Sequence, residues 1–102
     1  MPAPEQSAQQ SAEDAHMCIA FMIAHARTRD IAEAKDSADR AMHHLSQLAK
    51  TIPHTSPLSG EVGRLRAITY DARQKLARRQ TPENMEEGIA LILKIKESLE
   101  GK

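Results

Sequence analysis

Ile31, Ala38, Leu45 and Ile52 fall seven residues apart, and Ala34, Ala41 and Leu48 interleave with them at the same spacing. This is the repeat of a helix with one apolar seam. Met42 and Ala49 widen the stripe by a further position. Asp30, with Glu33 three residues later, reads as the opening cap, and Pro53 forbids continuation beyond Ile52. Such a seam closes either inside a single bundle or between two chains.

The first helix, starting at about residue 8–12 and ending at about residue 27, has a different pattern. Ala15, Ile19, Met22, Ile23 and Ala26 share one face, whereas Met17, Phe21 and Ala24 lie on the roughly opposite one. A helix apolar on two sides requires cover on two sides. Leaving Phe21 and the methionines in water would forgo about 1.5–3 kcal/mol each. Either this helix is central in the monomer or a second subunit covers the second face; the favoured reading is self-association into a homodimer or larger, the commonest assembly being a two-fold dimer. The interface residues are read as Met17, Phe21, Ala24, Ile31, Ala38 and Leu45.

Two further helices complete the chain. Ser59 is read as the cap of the third, with Val62, Leu65, Ile68, Thr69, Ala72 and Leu76 turned inward and the end near Gln80. Thr81-Pro82-Glu83 has the order cap, proline, acid that opens a helix. This fourth helix carries Met85, Ile89, Ile92, Ile95 and Leu99 on one broad face, with Gly101 as its terminator. Short connectors favour antiparallel neighbours. The expected fold is all-α: a four-helix, mostly antiparallel bundle over residues 11–102, preceded by a flexible leader over residues 1–10, with Ser7 and Ser11 as alternative first caps.

Composition narrows the function. The 102 residues make one domain, and with aromatics at 2% (Phe21 and Tyr70) the core must be built from Ala, Leu, Ile and Met. The formal net charge of zero argues against a general polyanion-binding protein. One cysteine, Cys18, excludes an intrachain disulfide. The apolar run Met17–Ala24 is far shorter than the roughly twenty residues of a membrane span. Glu13 and Asp14 precede it where a signal peptide needs basic residues. A cytoplasmic protein without membrane contact is expected.

The charge distribution is uneven. Arg64, Arg66, Arg73, Lys75, Arg78 and Arg79 stand against Asp71 alone in residues 62–80. With Tyr70 among them, these residues form a candidate anion site, although Arg66 and Arg73 border the inward stripe on one side and Arg64 and Lys75 on the other. Glu13-x-x-His16 has the spacing of a di-iron ligand pair. Glu33 and Asp36 supply no second such motif, so no metal is assigned. No Gly-rich phosphate loop, nucleophile elbow, H-E-x-x-H or C-x-x-C is present, so neither an enzyme nor a cofactor is expected. The sequence reads as a small non-enzymatic interaction protein, a regulator, inhibitor or adaptor, that self-associates and binds a further protein partner. The alternative is an oligomeric binder of a small anionic or nucleotide-like ligand through the basic third helix.

Overall fold

Four α-helices and no strand make up the described residues, which are 7–83 and 85–100 of the computed structural model. Helix α1 spans Ala8–Arg27, α2 Ile31–Thr51, α3 Pro57–Ala77 and α4 Met85–Glu100. Each helix packs on its chain neighbours and α4 closes back on α1, the ring of an up-and-down bundle.

Local chemistry sets the boundaries. Ser7 caps α1 by accepting the amide of Gln10 at 3.1 Å, so Ala8–Gln10, placed in the leader by sequence, form the first helical turn. Residues 1–6 of that leader and the expected terminator Gly101 lie outside the described residues. Asp30 caps α2 through the amide of Glu33 at 3.3 Å, and Ile52 is its C-cap. Helix α3 starts one turn earlier than the Ser59 reading: Ser56 accepts the amide of Leu58 and Pro57 occupies the first helical position. The earlier start gives proline a place where its missing N–H costs nothing, and it buries Leu58. Helix α4, in contrast, starts later than Thr81-Pro82-Glu83 suggests. Thr81 and Pro82 instead bridge from α3 across the end of α1, where they line a cleft with Ala26.

Helices α1 and α3 stop in the same way. The amides of Arg29 and Asp30 bond back to the carbonyls of Ala26 and His25, and those of Arg79 and Gln80 to Leu76 and Lys75. These are Schellman endings, which place one residue in the left-handed region, usually glycine. Here the residues are arginines, Arg29 at φ 62° and Arg79 at φ 59°. A side chain in this conformation costs about 1–2 kcal/mol. The chain thus accepts strain at two turns where glycine would carry none.

The core is aliphatic. Ile19, Met22, Leu45, Leu48, Leu65, Leu76, Ile92 and Ile95 are fully enclosed, with Ala12, Ala15, Ala34, Ala38 and Ala41 allowing α1 and α2 a close approach. The heptad seam of α2 is consumed inside this core. Ala38 and Leu45, read from sequence as interface residues, have no exposed surface, and Ile31 is half-buried. Ala38 and Leu45 therefore cannot contact a second copy, because neighbouring helices of the same chain already cover them. No helix of the described residues is long and apolar enough to cross a membrane.

Candidate functional site

The second apolar face of α1 remains in the open. Met17 is 47% exposed and Phe21 52%, with Ala20 and Ala24 exposed beside them. The pairing of α1 with α4 extends this face. Gln9 Nε2 donates to the Leu99 carbonyl at 3.2 Å, and Lys96 Nζ reaches Glu13 at 2.7 Å and His16 Nδ1 at 3.0 Å. Leu93, itself 47% exposed, lies one turn from Lys96 on α4. Met17, Ala20, Phe21 and Ala24 of α1, with Leu93 of α4, make up the exposed apolar strip of the α1–α4 pair, a kind of surface that marks association sites. Sequence patterning located the α1 half. Leu93 was missed because its turn of α4 reads as ordinary amphipathic helix.

The candidate anion residues of α3 are dispersed. Arg64 points to α4 and pairs with Glu87, whereas Arg73 points to α2 and donates to Asp39 at 3.0 Å. Lys75 is held by Asp71 at 3.2 Å, with Glu83 at 4.0 Å. Tyr70 accepts a hydrogen bond from Gln74 at 2.7 Å and is otherwise half in solvent. Arg66, Arg78 and Arg79 are exposed and reach no carboxylate among the described residues. The seven do not converge on one site, because a single helix spreads them over two edges and its end.

The Glu13-x-x-His16 pair does meet, but around a lysine. The Lys96 ammonium occupies the space between the two groups where a cation would bind. Among the described residues no group of three potential metal ligands comes together. Burial, followed by the nearby Lys96 charge, pushes the His16 pKa below its ordinary 6.5, against an opposing pull from Glu13. A histidine kept neutral by folding stabilises the fold above its unfolded value and loses that contribution as pH falls below it. Thermal melts on either side of pH 6.5 should therefore show lower stability on the acid side, and His16→Gln should reduce the difference. Cys18 packs against the core, and burial raises its thiol pKa, leaving it protonated and unreactive.

Among the described residues, Ser11 Oγ, His44 Nδ1 and Glu61 Oε2 are buried without hydrogen-bond partners. They lie on different helices. Three clefts gather at the end of the bundle where the α1–α2 turn meets the α3–α4 connection. One, between Met22, Ile23 and Ala26 of α1 and Met85 of α4, is largely apolar. The other two adjoin Arg29 and Arg79, of which sequence reading had singled out only Arg79. The signal for Arg29 was available: Thr28-Arg29-Asp30 stops a helix without the expected glycine.

No family model matches this chain, and comparison with curated proteins and with solved structures also gives no match.

Proposed function

We propose that this protein is a helical interaction module that works by binding rather than by chemistry, and that its working form is a two-fold dimer built on the α1–α4 strip. The observation that carries this reading is the exposed strip of Met17, Ala20, Phe21, Ala24 and Leu93 on a domain whose core is otherwise closed.

The sequence of α1 favours a second copy as the occupant. Two α1 helices laid antiparallel about a point between Ala20 and Phe21 set Met17 against Ala24 and Phe21 against Ala20. Each large side chain then meets a small one, the complementarity that a well-packed helix pair needs. The same register brings the acidic end of α1, Glu13 and Asp14, to the basic end that carries Arg27. Arg27 is exposed and has no ion pair among the described residues. An apolar centre with opposite charges at its rim is the anatomy of a specific interface. The surfaces away from this strip are left for a protein partner, in keeping with a regulator or adaptor.

Disulfide trapping tests the geometry. In a Cys18→Ser background, Ala20→Cys should cross-link to its own copy under mild oxidation, because a residue beside the two-fold axis lies near its own copy. Arg27→Cys should not, because its copy lies at the far end of the antiparallel pair. No cross-link at position 20, or equal cross-linking at both positions, would overturn the antiparallel dimer.

A further inference from the structure

The geometry points to a binding site for a small phosphate monoester at the end of the bundle, held by Arg29, Lys35 and Arg79. It lies within one chain and goes beyond the dimer, on which it does not depend.

Two adjoining clefts, of about 600 and 470 Å³, open between the α1–α2 turn and the end of α3. This is the size range of small-molecule sites. They share Arg29 and Arg79 on their walls and the half-buried Ile31 between them. Lys35, one turn into α2, lines the smaller cleft, and Arg27 stands at the edge of the larger.

Part of the surface charge is neutralised: Arg40 pairs with Asp36, Arg64 with Glu87, Arg73 with Asp39, Lys94 with Glu61 and Lys96 with Glu13. Lys50, Arg66 and Arg78 reach no carboxylate among the described residues, but they line neither cleft. Arg29, Lys35 and Arg79 make no ion pair or side-chain hydrogen bond among the described residues, and no carboxylate lines either cleft. The neighbouring acid, Asp30, is occupied in capping α2 and faces His25 at 4.0 Å. Arg29 and Lys35, six residues apart, thus meet Arg79 from the end of α3 around one cleft that no carboxylate lines.

The backbone reinforces this assignment. Glycine would end α1 and α3 without strain, yet both stops carry arginine, and both arginines border the same clefts. Two guanidinium forks and an ammonium suit the oxygens of a phosphoryl group, the arginines by paired hydrogen bonds and the lysine as a point charge. The half-buried Ile31 gives the organic part of a monoester an apolar contact. The α3 site read from sequence shares only Arg79 with this one.

The test is titration calorimetry of the full chain at low ionic strength, with inorganic phosphate and phenyl phosphate as probes. The parent should bind phenyl phosphate, and the double variant Arg29→Gly with Arg79→Gly should bind it at least about tenfold more weakly. Glycine suits both turns, so the double variant should melt no lower than the parent, which separates loss of the site from loss of the fold. Lys35→Gln, which touches neither turn, should weaken binding independently. A parent that binds neither probe, a double variant with unchanged affinity, or an unchanged Lys35→Gln would each overturn the site. These outcomes are independent of the cross-linking at position 20, so the dimer and the anion site stand or fall separately.

Discussion

Phe21→Glu is expected to turn the proposed dimer into a monomer while leaving the helical fold intact. Phe21 lies at the centre of the exposed strip and takes no part in the core. Within the chain, therefore, the change is a surface substitution, worth about half a kcal/mol or less either way. Between chains, it removes an aromatic contact of about 1.5–3 kcal/mol and places an unpaired carboxylate in a desolvated centre. Because the two-fold axis repeats the change on the partner, each dimer suffers it twice. The dissociation constant should rise by about a hundredfold or more, since each 1.4 kcal/mol is a factor of ten. Sedimentation of the parent and the variant at matched concentration reads this directly, and circular dichroism reports on the fold. A variant that remains dimeric would remove the strip from the interface.

Leu45→Ala should have the opposite profile. Leu45 is fully enclosed between helices of one chain. Its truncation removes apolar contact and leaves a cavity, at a cost of about 2–5 kcal/mol. That is a large share of the 5–15 kcal/mol typical of a small domain. It corresponds to a fall in Tm of about 8 °C or more. The loss should be of the same size in the monomeric Phe21→Glu background, since the contacts of Leu45 are intramolecular. A loss present in the dimeric parent but absent from the monomer would return Leu45 to the interface.

These two variants mark the boundary of what was legible in the sequence. The periodicity of α2 declared a buried seam, and the bundle follows from that seam, the amphipathic α3 and α4, and the caps at Ser7 and Asp30. A heptad stripe, however, looks the same whether α1 and α3 or another chain covers it. Ala38 and Leu45 could be assigned to the core only once the neighbouring helices were in place. The two-sided pattern of α1 was more informative, because a four-helix ring can cover only one side. Met17 and Phe21 are accordingly left exposed by their own chain.

The start of α3 was misplaced by a turn because Ser56 and Ser59 are both acceptable caps, and Pro57 decided between them. The cationic end was harder to read. Arg29 and Lys35 are close in sequence, but only the antiparallel arrangement brings Arg79 to the same rim. Counting charge along α3 found a real excess in residues 62–80 but attributed it to one helix, where Glu87 and Asp39 on neighbouring helices neutralise part of it. Arginine at the stops of α1 and α3 was easily passed over, since the familiar signal for that turn is glycine.

The measurement that bears most directly on the central claim is the solution mass of the parent chain by light scattering, at low and at high salt. Twice the 11.3 kDa of one chain, unchanged as salt screens the rim charges, is the result expected of an interface with an apolar centre. A mass of one chain at every concentration and both salts would contradict it, and would leave the α1–α4 strip without a second copy to cover it.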